Sequence, residues 1–418
     1  MRLAATVLLL LAVDGLALSA PANETKAWSV GTPIVTYYAG PGYHPSGPPM
    51  SDAAARQMAD GGFNVVWCSE NELDLVQRHG LRAQLRDGLL SPATLDDPAQ
   101  REKLDALIDR VRRHPALYCY YITDEPGAAK FPALGKLVAY LRQRDPARMA
   151  YINLFPTYAN NEQLGNQGDT VTAYREHLRQ YVKIVEPDLI SYDHYQFTSN
   201  GDTGGYFLNL AMIRRAALDA NLPFLNIVQA CSWTPAMRVP NAEEMRYLVY
   251  TTLAYGAQGI SYYVYCWPGH TGGIALADGT PTPIYHALET LNREFVTIAE
   301  EVQPLASLAA YHAGMTPEGA ESLPENAPFR FDPPLPAQDV KARERCRGAL
   351  LGYFGKPDRP SHVVVVNLDY KGESAFTLVA PGNLEIFDAT SRAWSSTGGA
   401  RAELRLPGGG GKLLRLAP

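Results

Sequence analysis

Two short runs put carboxylates where chemistry could use them: Thr123-Asp124-Glu125-Pro126 and Asp193-His194-Tyr195. Glu125 ends a very apolar stretch, so partial desolvation is expected to raise its pKa and let it carry a proton near neutral pH. Pro126 behind it stops the strand and fixes the turn. The competing role is local: Asp124 or Glu125 could cap the helix that begins near Gly127. Asp193 could supply a second carboxylate, as base or nucleophile, or could only hold a neighbouring backbone or His194 in place. Glu70 could supply it from another strand end, although Glu70 and Glu72 also suit the start of a helix, where negative charge is favoured.

The elements that must position these groups alternate. Strand-like runs fall at Pro33–Tyr38, Phe63–Cys68, Arg82–Leu85, Ala116–Thr123, Met149–Leu154, Leu189–Asp193, Phe224–Val228 and Gly259–Tyr265. Between them lie amphipathic stretches such as Arg101–Arg113 and Val171–Val185, with apolar residues recurring at three and four. Eight strand–helix repeats predict a (β/α)₈ TIM barrel, an α/β fold. A doubly wound open sheet is the rival, and it lacks the Gly-rich fingerprint after the first strand.

In such a barrel the active site lies at the C-terminal ends of the strands. Those ends carry Tyr37 and Tyr38, Trp67, Glu70 and Glu72, Asp124 and Glu125, Asn153, Asp193-His194-Tyr195, Gln229 and Trp233, and Trp267 and His270. Carboxylates, amides and aromatic rings converging on one rim suit a carbohydrate, whose hydroxyls pair with polar groups while its C–H faces pack on rings. The expected catalytic residues are Glu125 and Asp193. The expected substrate contacts are Tyr37, Trp67, Glu70, Asp124, Asn153, His194, Tyr195, Gln229 and Trp267. No cofactor and no metal is expected: the histidines are scattered, and no paired-Cys or EF-hand pattern occurs.

The run Tyr121-Ile122-Thr123-Asp124-Glu125-Pro126 resembles the strand-4 Asn-Glu-Pro motif of the clan A glycoside hydrolases, and Trp267 resembles that clan's strand-8 tryptophan. The resemblance covers the barrel and implies that Glu125 is the acid/base and that Trp267 lies under the sugar. It also implies a nucleophilic Glu at the end of strand 7, where this chain has Gln229. An amide cannot form the glycosyl-enzyme ester. Asp193 or Glu70 could replace that group; otherwise Asp124-Glu125 resembles the pair of substrate-assisted hexosaminidases, in which the substrate's own acetamido group attacks. A protein that binds carbohydrate without cleaving it is the alternative from another class.

The rest of the chain bounds these readings. The 418 residues carry a formal charge of −6, which disfavours nucleic acid as a partner. Met1, Arg2, the apolar run Leu3–Val13 and Ala20-Pro21-Ala22 read as a signal peptide over 1–22, so an exported protein is expected, secreted or periplasmic and free of the membrane after cleavage. The barrel is assigned to 23–304, and an irregular, Pro-rich connector that begins a second domain to 305–345. A C-terminal antiparallel β-sandwich follows over 346–418, with strand-like runs at Ala349–Phe354, His362–Leu368, Ala375–Val379, Leu384–Phe387 and Lys412–Leu416. The five cysteines form neither a disulfide framework nor a zinc site; they read as buried thiols, with a Cys231–Cys266 bridge as the one pairing worth testing. Oligomeric state is not legible.

Overall fold

The computed structural model describes residues 33–418. The segment read as a signal peptide lies outside them. Eight parallel strands form one sheet: β1 (Ile34–Tyr37), β2 (Val65–Cys68), β3 (Arg82–Leu85), β4 (Leu117–Asp124), β5 (Met149–Leu154), β6 (Ile190–His194), β7 (Phe224–Gln229) and β8 (Gly259–Tyr263). They run in order around a nearly closed barrel, with β1 paired to β8. At the seam between β1 and β2, Asn64 substitutes for a ladder. Its N–H donates to Val35 O at 3.0 Å, and its Oδ1 accepts from Val35 N–H at 2.9 Å.

Eight helices cover the barrel: α1 (Asp52–Asp60), α2 (Leu73–Arg78), α3 (Pro98–Val111), α4 (Phe131–Arg144), α5 (Thr170–Gln180), α6 (Tyr206–Ala220), α7 (Ala242–Ala254) and α8 (Pro283–Val302). Ser51, Asp97, Asp169, Asn241 and Thr282 cap five of them through side-chain oxygens, which is why these helices start where they do. Neither Asp124 nor Glu125 caps anything. A 3₁₀ turn at Ala128–Lys130 leads into α4 with no side-chain cap at Gly127.

Strand parity decides which side chains reach the interior, because successive residues face opposite sides. On β6, Ser191 and Asp193 face in, while His194 faces the helices and meets Asn209 of α6. On β8, Tyr262 faces out, its hydroxyl donating to Asn292 of α8, so Tyr263 faces in. On β1 the same alternation turns Tyr37 outward and Tyr38 inward.

Beyond the barrel, β9 (Ala306–Gly314), β10 (Gly348–Lys356), β11 (Arg359–Asn367), β12 (Ser374–Val379), β13 (Leu384–Asp388), β14 (Ala393–Ser396), β15 (Arg401–Leu406) and β16 (Gly411–Leu416) build two sheets. The larger runs β9-β10-β11-β16-β13-β14, antiparallel throughout those strands; β12 and β15 form the smaller with a short strand at Arg330–Phe331. Strand β9 lies within the stretch read from sequence as connector. Its Ala- and Ser-rich run lacks the Val/Ile signal of a strand and gains its order from pairing with β10. This region sits close on the barrel: a Cβ on Gly352 of β10 would lie 2.0 Å from Ala254 O at the end of α7. All five cysteines are free and buried, Cys231 and Cys266 included.

Candidate active site

A cavity of about 180 Å³ opens at the C-terminal rim of the barrel, lined by Tyr38, Asp124, Glu125, Asn153, Asp193, Tyr195, Trp233 and Tyr263. Asn153 organises it. Its Nδ2 donates to Asp124 Oδ1 and to Asp193 Oδ1, each at 3.0 Å, while its Oδ1 accepts from Ser191 Oγ at 2.9 Å. The serine bond fixes which end of the amide faces the carboxyls. Asp124 also accepts from the Tyr38 hydroxyl at 2.8 Å.

Two neighbouring residues of one strand normally point opposite ways, yet Asp124 and Glu125 both reach this cavity. Two backbone devices achieve it. The ladder between β4 and β5 pairs Tyr121 with Tyr151 but Thr123 with Ile152, so Ile122 is an extra residue and parity shifts. Tyr121 faces in before this bulge; after it Asp124 faces in, opposite Asn153. Glu125 then adopts a left-handed φ of 43° while its N–H donates to Asn153 O at 2.9 Å. That conformation is costly for a residue with a side chain, by about 1–3 kcal/mol, and such cost is commonly found at functional sites.

Glu125 and Asp193 line this cavity together. No Lys, Arg or His lines the cavity to offset the acid charge. Burial, and then the charge of Asp124, pushes Glu125 from its ordinary 4.5 up to about 7. Burial raises Asp193 well above the usual carboxylate range, with Glu125 and Asp124 adding to it and hydrogen bonds from Asn153 and Tyr195 opposing. Burial raises Asp124 too, against the bonds from Asn153 and Tyr38. All three carboxyls are thus shifted toward the protonated form, Glu125 to about 7. Among the described residues no group of three or more His, Cys, Asp or Glu is arranged to hold a metal ion.

Of the sequence-derived site residues, Asp124, Glu125, Asn153, Asp193 and Tyr195 come together here. Six lie elsewhere. Tyr37 is fully buried on the outer side, packed on Phe63 and Tyr265. Trp67 is buried behind the wall, its ring 5.0 Å from Tyr38 and 4.3 Å from Tyr121. Glu70 pairs with Arg110, Oε1 to Nε at 2.6 Å, and is not the partner of Glu125; that contact holds its carboxyl below the usual range. His194 is buried with Nδ1 3.0 Å from Asn209 Oδ1, and burial lowers its pKa to about 4.

Gln229 is a loop clamp, not pocket lining. Its Nε2 donates to the carbonyls of Phe197, Cys231 and Arg238 at 3.0, 3.2 and 2.8 Å, and its Oε1 accepts from Phe197 N–H at 2.9 Å. Trp267 stands outside the lining, against Tyr43, His44 and His270. The walls are instead Tyr38, Tyr263 and Trp233. Parity along β1 would have selected Tyr38 over Tyr37. Tyr263 was hidden in an apolar run that reads on to Tyr265. Trp233 follows the Cys231–Ser232 bridge to Thr271–Gly272, a long-range pairing with no local signal.

A larger groove of about 950 Å³ lies on the outer face, bordered by α5 and α6. Its Asp219 is paired with Arg215 at 2.9 Å, and Glu318 and Glu321 also line it.

No protein-family model and no curated protein sequence matches the chain. Among solved structures it is similar to a catalytic mutant of Gan42B, a GH42 β-galactosidase from G. stearothermophilus. That likeness has a TM-score of 0.54 at 9% identity, over 93% of this chain and 98% of the other. A family 39 glycoside hydrolase from Bacteroides cellulosilyticus WH2 aligns at 10% identity over 92% of this chain and 81% of its own, with a TM-score of 0.49. A β-galactosidase from Marinomonas ef1 aligns at 13% identity and a TM-score of 0.47, over 68% of this chain; the alignment spans 63% of that relative. The likeness shows the (β/α)₈ barrel that the eight strand–helix repeats predict.

Proposed function

We propose that the protein is a glycoside hydrolase in which the Glu125–Asp193 pair handles the proton of glycosidic cleavage. The observation that carries this reading is that two carboxyls, Glu125 and Asp193, share a cavity walled by Tyr38, Tyr195, Trp233 and Tyr263 at the C-terminal end of the barrel strands. Glu125, pushed up to about 7, carries its proton into the neutral range. Glu125 is half-buried and meets the cavity, whereas Asp193 is 4% exposed, so Glu125 is the group that delivers the proton to the departing oxygen. Asp193 is the base that complements it. Asp124 and Asn153 hold the pair in place and present polar atoms to the sugar hydroxyls, and the aromatic walls take its C–H faces.

The cavity volume suits a single sugar ring, with the remainder of the substrate outside. We read the two C-terminal sheets, whose facing Phe331, Phe376, Leu404, Val363 and Val365 share one apolar cluster, as a β-sandwich attached to the catalytic barrel. Export follows from the N-terminal sequence pattern and is part of the same proposal. The test is incubation of the protein with a panel of nitrophenyl glycosides and disaccharides, followed by reducing-end release and by calorimetry. Release that disappears in Glu125→Gln supports the hydrolase. Binding without release in the wild type makes the protein a carbohydrate binder.

A further inference from the structure

A cavity of about 340 Å³, within the size range of small-molecule sites, shares no lining residue with the carboxyl site. It lies where the loop after β6 meets the chain that leads into the C-terminal sheets. Two short strands, Phe197–Thr198 and Gly201–Asp202, fold the loop back on itself, and the Thr203 N–H donates to Gln196 O at 2.8 Å. The two segments meet closely: a Cβ on Gly201 would lie 2.2 Å from Arg343 O.

This wall is rich in donors. Gln196 lines the cavity and is 3% exposed, and its Nε2 has no hydrogen-bond partner. The buried Thr203 hydroxyl, paired to it through the backbone, has none either. A buried donor left unmade is costly, so both call for an acceptor. Helix α6 begins at the same place. Tyr206 and Phe207 line the cavity, and their N–H groups precede the first bond of the helix, Asn209 N–H to Gly205 O at 2.8 Å. Gly205, at a φ of 95°, has no side chain to cap them. The positive end of a 15-residue helix therefore borders the cavity.

The charges agree. Of the acids on the wall, Asp202 is paired with Arg238 at 3.2 Å and Glu344 with Arg347 at 3.3 Å. Lys341 and Arg343 also line the cavity; both are exposed and pair with no acid among the described residues. We propose that this cavity binds an oxyanion: a phosphate, sulfate or carboxylate, free or carried on a small organic molecule. Gln196, Thr203 and the first turn of α6 hold its oxygens, and Lys341 and Arg343 supply the opposing charge. Phe207, Tyr247 and Met315, all buried, provide apolar wall for a carrier. The assignment stands apart from the hydrolase reading.

Calorimetry on the full chain with inorganic phosphate, sulfate, glucose 6-phosphate, glucuronate and uncharged glucose tests it. At least one anion should bind about tenfold or more tightly than glucose, and its affinity should fall as salt rises toward about 0.15 M. Which anion binds best separates a free ion from an organic carrier. The double variant Lys341→Ala/Arg343→Ala removes two exposed charges and should weaken that anion about tenfold or more without lowering the Tm. Gln196→Leu should weaken it as well and leave the fold at least as stable, because the donor it deletes has no partner. Glu125→Gln, in the other cavity, should bind it as wild type does. No binding by any anion, glucose binding as tightly, affinity unchanged in either of the first two variants, or affinity lost in Glu125→Gln overturns the site.

Discussion

Replacing Gln229 by Glu would put a carboxylate where the clan A resemblance expects the nucleophile, and the structure predicts damage instead of gain. The Gln229 Nε2 faces three carbonyl oxygens at 2.8–3.2 Å. An ionised oxygen there would be repelled by all three while stripped of water. The protonated acid keeps the bond from Phe197 N–H but offers one O–H to three acceptors. Two carbonyls losing their donor cost about 1 kcal/mol each. Holding the introduced acid neutral costs about 1.4 kcal/mol for each pH unit above its ordinary pKa. Its folded pKa is raised, so the penalty is smallest in acid and grows as pH rises. Gln229→Glu should therefore lose about 2 kcal/mol at pH 5 and about 3–5 kcal/mol at pH 8. That corresponds to a Tm drop on the order of 10 °C in alkali. Thermal unfolding at the two pH values, with glycoside hydrolysis assayed alongside, checks this. A variant as stable as wild type at pH 8, or one that gains turnover, would show that residue 229 faces substrate and refute the clamp.

Glu125→Gln should stabilise the fold as it removes activity. The rise from 4.5 to about 7 means that Glu125 adds stability below pH 4.5 that is lost as pH climbs through 7. The variant's advantage over wild type should thus grow between pH 5 and 8 toward a ceiling of roughly 3 kcal/mol, read by denaturant melts. Activity should follow Glu125: kcat/KM falls as pH climbs through about 7 and the acid loses its proton, and a profile flat across that range would contradict its role as proton donor. Asn153→Ala frees Asp124 and Asp193 from their common donor, and a fall in kcat of about tenfold or more with a displaced pH profile is expected. Tyr370→Phe removes the hydroxyl that both oxygens of Asp202 accept from the C-terminal region. A cost of about 1–3 kcal/mol in stability is expected, because Asp202 is buried.

The barrel was legible because its strands are short apolar runs at regular spacing, and each lies within a few residues of its sequence-derived bounds. The ends of those strands led to five residues of the site. What escaped was decided by backbone geometry and loop contacts. Ile122 reads like any strand residue, yet as the extra residue of a bulge it turns Asp124 inward. Tyr37 was preferred over Tyr38 because a pair of tyrosines shows no parity until the strand is paired. Gln229 ends β7 where a site residue was expected. Its partners, Phe197 and Arg238, lie 32 and 9 residues away in the chain, and only the folded loops reveal them. Trp267 looked like a platform because it follows β8; the loop beyond Tyr263 carries it out of the cavity.

The central claim, that Glu125 delivers the proton in glycosidic cleavage, is tested most directly by leaving-group dependence. Wild type and Glu125→Gln are compared on a disaccharide or methyl glycoside, which needs protonation, and on a dinitrophenyl glycoside, which does not. The variant should lose about 10²–10⁴-fold in kcat on the first and far less on the second. Equal losses on both, or equal turnover by variant and wild type on the methyl glycoside, would remove Glu125 from that role.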